Sequence, residues 1–382
     1  MPKVLIYRNE LLPGSETFVL AQAAALSRYV PVFAGVRRVF SGLDLAPYAV
    51  ATVSASERLR EKLLRRLFFQ TGRSGRLEEE IAWQRPSLVH AHFAVDACAI
   101  LPMARRWRLP LLVTLHGYDI GCHDAALRRW PAGRTYLRRR MELWQYASLF
   151  FCVSSNVRRQ ALLRGFPPDK LFVHPVGVAV DRPATSAEGR ERSTILFVGR
   201  LVEKKGCADL LRAMPLVLRQ VPGARLVILG EGPLRKVLEQ MAVAFRGNVI
   251  FHGHQPHQQV KQWMRRARVL VAPSICASDG DQEGLPTVLC EAQAAGLPVV
   301  TFATDAVLEA LPKRLRGFMP PERDIAGLAE TIVRFVLDDA LWQCAHVQGR
   351  RYIEEHFDLA RQTRILEEKY DECLSQSGQA LS

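Results

Sequence analysis

Short apolar runs alternate with longer amphipathic segments along most of the chain. Runs such as 4–7, 111–115 and 194–198 are largely apolar, and each is followed by a turn and then by a segment of helical periodicity. Apolar strands that alternate with helices indicate a parallel sheet covered on both faces. The pattern therefore predicts an α/β protein, in which ligands bind at the turns that follow the strands.

The length and one polar segment predict two domains. A chain of 382 residues is too long for one compact core to be the natural expectation. Residues 183–193 are small and polar, as is typical of a linker. We therefore expect a first domain over 1–182 and a second over 194–350.

Residues 278–300 predict a loop, a helix and a buried strand. The helix begins near Thr287 and ends before Gly296, which occupies the position of a helix C-terminal glycine. The free amides at the helix start favour a phosphate. Glu283 and Glu291 lie eight residues apart and border one pocket, where carboxylates accept hydrogen bonds from hydroxyl groups. A site that binds both a phosphate and polyol hydroxyls indicates a nucleotide sugar. The alternative is an ordinary βαβ crossover in which the two glutamates are solvated.

A second phosphate-binding turn is predicted after the strand at 194–198. Gly199 and Arg200 follow that strand, and Lys205 and Gly206 precede a helix. Arginine offers a planar fork and lysine a point charge, and both suit a diphosphate. The spacing excludes a P-loop and a GxGxxG dinucleotide motif. The alternative is a solvated basic turn.

Both stretches resemble motifs of the retaining glycosyltransferases of family 4. Glu283 and Glu291 resemble the E-x7-E signature, and the turn at 199–206 resembles GRLxxxKG. His116 begins a segment that resembles HGxD, although a lone histidine at a strand end is also compatible with a structural role. The resemblance implies that Arg200 and Lys205 bind the donor diphosphate. It further implies that Glu283 holds the sugar, Glu291 the ribose, and that His116 touches the transferred sugar.

The resemblance also implies a wider donor-binding set. The turn SETF resembles that of colanic-acid and exopolysaccharide enzymes, and its Ser15 is a candidate N-cap of a helix over 13–28. The expected donor-binding residues are Gly14, Ser15, Gly199, Glu231, Gly253, Gly284, Leu285, Pro286, Thr287 and Glu291.

The implied architecture is the GT-B fold, in which two Rossmann-like parallel-sheet domains face each other across a cleft. The N-terminal domain would bind the acceptor and the C-terminal domain a UDP- or GDP-sugar, and the helix at 351–382 would cross back to the first domain. The family transfers a hexose with retention, and we expect no metal or other cofactor. Arg200, Lys205 and a helix N-terminus already supply positive charge, so a metal at Asp279–Asp281 or at the histidines of 252–257 is disfavoured.

Charge is concentrated in the first half of the chain. Residues 1–181 contain 26 Lys+Arg against 14 Asp+Glu, whereas the whole chain has a net charge of +14. Two Arg-rich amphipathic segments lie at 57–83 and 127–144. Leu59, Leu63, Leu64 and Leu67 share a face in the first, and the second carries the candidate interfacial anchors Trp130, Tyr136 and Trp144. Either ordinary surface helices or contact with an anionic membrane explains them. No nucleic-acid motif is present.

These observations favour a lipid-linked or oligosaccharide acceptor in exopolysaccharide assembly. Scattered cysteines and the lack of an apolar leader predict a cytoplasmic protein at the inner face of the membrane. Two alternatives remain: a GT-B epimerase or phosphorylase, and a non-catalytic assembly partner. The second is suggested by residues 301–321, which lack the glycine-rich loop that is usual in the family. A dehydrogenase is disfavoured because GxGxxG is absent.

Overall fold

The computed structural model describes residues 1–39, 42–56, 58–180, 189–245 and 247–379. It divides into an N-terminal unit, made of Met1–Gly177 and the segment from Leu359, and a C-terminal unit, Val178–Asp358. Of the expected linker over 183–193, residues 183–188 lie outside the described residues. No helix among the described residues combines the length and the apolar composition needed to cross a bilayer.

The N-terminal unit is built on a seven-stranded parallel sheet with the order β3-β2-β1-β4-β5-β6-β7. Its strands are β1 (Lys3–Leu11), β2 (Val30–Arg38), β3 (Ala49–Thr52), β4 (Leu88–His92), β5 (Leu111–Leu115), β6 (Leu149–Cys152) and β7 (Leu171–Val173). The strands β4 and β5 are buried along their whole length, as the apolar sequence of β5 predicts. Strand β4 also buries His90 and His92.

Among the residues that the structure describes, eight α-helices connect these strands. They are α1 (Thr17–Ala24), α2 (Leu59–Thr71), α3 (Gly75–Gln84), α4 (Ala94–Arg106), α5 (Tyr118–Gly121), α6 (Asp124–Leu127), α7 (Pro131–Tyr146) and α8 (Ser155–Leu163). Within the amphipathic segment predicted at 57–83, residues Leu59–Thr71 and Gly75–Gln84 form two separate helices. Gly72, with φ of +66°, ends α2 in the left-handed conformation.

The C-terminal unit carries a five-stranded parallel sheet with the order β10-β9-β8-β11-β12. Its strands are β8 (Thr194–Val198), β9 (Arg225–Leu229), β10 (Val249–Gly253), β11 (Val269–Val271) and β12 (Val299–Val300). Its helices are α9 (Cys207–Gln220), α10 (Arg235–Met241), α11 (His257–Arg266), α12 (Thr287–Ala294), α13 (Asp305–Leu308), α14 (Lys313–Arg316), α15 (Ile325–Leu337) and α16 (Asp339–His356).

The last helix, α17 (Leu359–Gln379), packs in the N-terminal unit. Buried Glu367 accepts hydrogen bonds from the backbone amides of Ser27 and Arg28, at 2.7 and 2.6 Å. The Tyr370 hydroxyl lies 2.6 Å from His90 Nδ1. Residues 351–356, expected to belong to this helix, instead complete α16 in the C-terminal unit.

Candidate functional site

The strand order of the C-terminal sheet changes direction between β8 and β11. Ligands of parallel α/β sheets bind beyond the carboxyl ends of strands at such a point, because the connecting helices leave in opposite directions there. The turn 199–206 follows β8, and the loop that carries Glu283 follows β11. The sheet therefore brings together two segments that are about eighty residues apart in sequence.

A buried ion pair joins these two segments. Lys205 Nζ lies 2.6 Å from Glu283 Oε1, and Ser274 Oγ lies 3.4 Å from the same oxygen. Burial raises the pKa of Glu283, but Lys205, Lys204 and Arg200 outweigh it and lower that pKa to about 2. The carboxylate is therefore ionised at neutral pH and placed among three cations. Sequence reasoning missed Ser274, which has no local signal.

Glu291 lies on α12 and has a different electrostatic environment. Burial raises the pKa of this carboxyl to about 7, against the opposing influence of Lys261 and Lys205. The charge of Lys205 thus favours a lower pKa in both glutamates. The four charged residues that the sequence singled out here (Arg200, Lys205, Glu283 and Glu291) lie together, and we call them the C-terminal site.

Helix α12 begins at Thr287, as predicted. Its N-cap residue, Pro286, makes no side-chain hydrogen bond to the first turn, and both Leu285 and Pro286 are buried. Gly296, with φ of +66°, follows the helix end in the left-handed conformation predicted for it. The first turn of α12 therefore has backbone amides that its N-cap side chain does not satisfy.

Backbone hydrogen bonds connect the carboxyl ends of β8, β9 and β10 beside this site. The Gly199 amide donates to the Leu229 carbonyl at 3.0 Å, and the Gly230 amide donates to the Gly253 carbonyl at 2.7 Å. Glu231 is exposed in the same group of loops and pairs with Arg235 at 2.9 Å. The donor-binding residues predicted at 199, 231 and 253 therefore lie on three adjoining loops, where their roles stay predictions.

Gly206 fixes the turn that positions Lys205. Its φ is +66°, and a Cβ atom there would lie 1.8 Å from the Pro273 carbonyl oxygen. We expect Gly206→Ala to lower the free energy of unfolding by at least about 2 kcal/mol, because both the backbone strain and the collision oppose the substitution. Chemical denaturation measures this change. Gly223→Ala is the matched control, since a Cβ atom there meets nothing within 4 Å; equal effects of the two would contradict the argument.

The N-terminal unit contains a buried ionic cluster at its own change of strand order, between β1 and β4. Arg8 forms ion pairs with Glu16 and Asp96, and its guanidinium lies 4.2 Å from the centroid of the Phe93 ring. Burial raises the pKa of Asp96 to about 6, although Arg8 opposes this. We call Arg8, Glu16 and Asp96 the arginine cluster. Sequence reasoning missed Arg8 and Asp96, because neither belongs to a local motif.

Three histidines stack beside this cluster. The rings of His90 and His92 are 4.6 Å apart, and those of His92 and His116 are 5.2 Å apart. His116 Nε2 lies 3.0 Å from His92 Nδ1, and the Asp119 carboxylate accepts from the His116 and Gly117 amides. Burial lowers the pKa of His116 well below its usual value, so the ring is neutral at pH 7.

Several expectations about single residues are wrong. Ser15 is not the N-cap of α1, because the helix begins at Thr17 and Glu16 occupies the cap position, its carboxylate paired with Arg8. Tyr136 and Trp144 are 1% and 8% exposed, so these rings are core residues rather than interfacial anchors. Their spacing was compatible with either role, and the packing of α7 against α4 decides between them.

Asp281, one of the two acidic residues considered as a metal site, forms an ion pair with a lysine. Lys204 Nζ lies 2.8 Å from Asp281 Oδ1, and burial raises the pKa of Asp281 against this opposing charge. His252 packs against Trp263, with ring centroids 5.4 Å apart. Within the described ranges, no three His, Cys, Asp or Glu side chains are arranged to hold a metal ion.

Comparisons with known proteins identify both halves of the chain. Residues 14–182 match the family model Glycosyltransferase Family 4, and residues 192–338 match the model Glycosyl transferases group 1. The putative colanic acid biosynthesis glycosyltransferase WcaL of Salmonella typhimurium is 31% identical over 251 residues, which are 64% of this chain and 59% of WcaL. The match therefore spans less than two thirds of that relative.

Solved structures share the fold. HepE of Anabaena, solved with UDP and glucose, has a TM-score of 0.74 at 17% identity and covers 97% of this chain and 100% of its own. Sucrose-phosphate synthase of Thermosynechococcus elongatus has a TM-score of 0.76 at 18% identity, over 98% of this chain and 100% of its own. These structures show that the chain has the GT-B fold, and the two family models show that it belongs to the glycosyltransferases, with an N-terminal half of the family 4 type and a C-terminal half of the group 1 type.

Proposed function

We propose that the protein is a metal-independent, retaining hexosyltransferase that moves a sugar from a nucleoside-diphosphate sugar to a lipid-linked or oligosaccharide acceptor in exopolysaccharide assembly. The observation that carries the proposal is the C-terminal site. Two cations, two buried carboxylates and a helix start whose N-cap side chain makes no hydrogen bond lie there, beside a change of strand order. The similarity to WcaL supports the exopolysaccharide role.

In the proposed reaction, Arg200 and Lys205 bind the donor diphosphate together with the amides at the start of α12. The bond between the anomeric carbon and the diphosphate oxygen breaks, and the charge that develops on that oxygen is stabilised by these groups. The acceptor hydroxyl attacks the same face of the sugar, and its proton passes to the departing phosphate. Retention then requires no covalent intermediate with the protein.

The carboxylates would recognise the neutral parts of the donor. Glu283 would accept hydrogen bonds from sugar hydroxyls once Lys205 turns to the diphosphate, and Glu291 would accept them from the ribose. Neutral His116 would contact the transferred sugar through a hydrogen bond without adding charge. The predicted Gly14 and Ser15, in the exposed turn before α1, would complete the donor contacts.

Calorimetric titration with UDP, GDP and ADP tests the proposal. We expect one of the three to bind with a Kd at or below about 1 mM, the range common for enzyme substrates. Lys205→Ala should remove that binding, whereas Lys236→Ala, at an exposed position on α10, should leave it unchanged. A protein that binds none of the three is not a nucleotide-sugar transferase; the non-catalytic assembly partner would then be the better interpretation.

The basic N-terminal unit supports a site of action at the inner face of the cytoplasmic membrane. Each Arg or Lys side chain near an anionic membrane contributes about 1 kcal/mol of attraction, and salt weakens this attraction. The charge excess of residues 1–181 is therefore compatible with peripheral membrane binding.

A further inference from the structure

A basic cavity lies in the N-terminal unit, at the carboxyl ends of β1 and β2 and between α2 and α7. Its volume is about 720 Å³, within the range of small-molecule sites. Six cationic side chains line it: Arg37, Lys62, Arg65, Arg66, Arg134 and Arg138. Glu10 is the only carboxylate among its lining residues, all of which belong to the described part of the chain.

The positive charge of this cavity is compensated only in part. Glu10 pairs with Arg37. Arg134 donates to the Arg128 carbonyl, which is neutral. Among residues that the structure describes, Lys62, Arg66 and Arg138 have no ion pair. Gathering like charges in a concave site costs stability, and a multiply charged anion relieves that cost.

The cavity adjoins the arginine cluster through Asn9. This residue lines the cavity, and its backbone amide and side chain both donate to Asp96, at 2.8 and 2.7 Å. A ligand in the basic cavity would therefore lie close to the carboxyl edge of the N-terminal sheet, where acceptors are expected to react.

A row of exposed leucines runs along α2 beside the cavity. Leu59, Leu63 and Leu67 are 84%, 67% and 50% exposed and follow one another at four-residue spacing, so they form one line on the helix. Phe68 is the buried residue through which α2 packs. The leucine row (these three residues) is therefore not required by the core, and it places apolar surface next to concentrated positive charge.

An anionic cavity ligand that also carries an apolar chain matches both features. A nucleic acid has no hydrocarbon to contact the leucines, and a free oligosaccharide has neither the charge nor the chain. A prenyl diphosphate has both. The diphosphate satisfies several guanidinium groups through charge-assisted hydrogen bonds, and the hydrocarbon covers the leucine row.

We propose that the basic cavity binds the diphosphate of a prenyl-diphosphate-linked acceptor, while the leucine row contacts its hydrocarbon chain and the surrounding lipid. This inference rests on the proposed function and deepens it, because it names the acceptor class and the residues that hold it. The acceptor diphosphate is bound here without reaction, since the attacking hydroxyl belongs to its sugar.

Farnesyl diphosphate in detergent micelles is the probe, with its affinity measured by fluorescence anisotropy competition or calorimetry. We expect Arg66→Glu combined with Arg138→Glu to weaken its binding at least about tenfold, since two charge-assisted contacts become repulsive. Arg364→Glu is the matched control, because it makes a charge reversal at an exposed helical position of the same unit outside the cavity. It should change the affinity less than about twofold. Thermal unfolding verifies that all variants fold.

Further probes separate the possible sources of the diphosphate. Farnesol should not bind, and inorganic pyrophosphate should bind more weakly than farnesyl diphosphate; equal binding of pyrophosphate would overturn the lipid assignment. Binding to phosphatidylglycerol vesicles that farnesyl diphosphate does not compete would assign the cavity to bulk headgroups and also overturn it. Leu63→Ser with Leu67→Ser should reduce binding of farnesyl diphosphate but not of pyrophosphate.

The test distinguishes failure of this inference from failure of the proposed function. Lys205→Ala should abolish nucleotide binding and leave farnesyl diphosphate binding intact, and the double arginine variant should do the reverse. Retained nucleotide binding with unaltered farnesyl diphosphate affinity in the double variant would refute the cavity assignment alone.

Discussion

Replacing Lys205 with alanine is expected to lower kcat/KM for sugar transfer by about two to three orders of magnitude, the usual effect of removing one group that stabilises transition-state charge. Lys205 Nζ lies 2.6 Å from Glu283 and is followed by a glycine that fixes its turn. Its charge therefore lies within the C-terminal site before the donor binds, and only its side chain has to turn from Glu283 to the diphosphate. Release of the nucleotide in the presence of acceptor measures the effect.

Two further variants give this prediction its controls. Lys205→Arg keeps the charge and should retain more activity than the alanine variant, although the planar guanidinium changes the geometry. Glu283→Gln removes the partner without removing the cation, so it should impair sugar recognition while leaving nucleotide affinity largely intact. If Lys205→Ala transfers sugar at a rate close to that of the unmodified protein, the assignment of the C-terminal site is refuted.

Arg8→Met is expected to destabilise the N-terminal unit by about 3 to 5 kcal/mol, the usual cost of breaking a buried ion pair from one side. The substitution leaves the carboxylates of Glu16 and Asp96 buried at 9% and 3% exposure without their shared cation. Arg37→Met is the control. It removes a pair with Glu10 whose side chains are 41% and 47% exposed, and it should cost at most about 1 kcal/mol.

The pH dependence of the Arg8 variant provides a second readout. The pKa of Asp96 is raised to about 6 in the folded protein, above its ordinary value, so the folded state holds a proton that the unfolded state has lost. Stability therefore falls as the pH rises from about 4 through 6. Without Arg8, the pKa rises further, and the loss of stability should extend to higher pH. Denaturation at pH 5 and pH 8 measures this; a pH-independent difference between variant and parent would contradict the argument.

Sequence patterns predicted the sheet architecture and the C-terminal site for related reasons. Arg200, Lys205 and Glu283 follow apolar strands of one predicted sheet, and the ends of parallel strands meet at one edge whatever the details of packing. The end of helix α12 was predicted because Gly296 occupies the position of a helix C-terminal glycine, and its φ in the structure is positive. In both cases, residues close together in the sequence are sufficient to predict the local structure.

The arginine cluster could not be predicted in this way, and sequence did not decide whether the leucines of α2 are exposed or buried. Arg8 pairs with Asp96, a residue 88 positions away, and a strand sequence contains no information about such a partner. The leucines of α2 and the aromatic rings of α7 both follow helical periodicity, yet the structure exposes the former and buries the latter. Periodicity identifies a helix face but not what covers it.

The return of α17 to the N-terminal unit has a consequence for biogenesis. The carboxylate that accepts from the Ser27 and Arg28 amides belongs to Glu367, and the hydroxyl beside His90 belongs to Tyr370. A ribosome supplies these groups only after it has made the whole C-terminal unit. The C-terminal unit is thus the first to have all of its sequence available, and the N-terminal unit reaches its native core only after α17 has been synthesised.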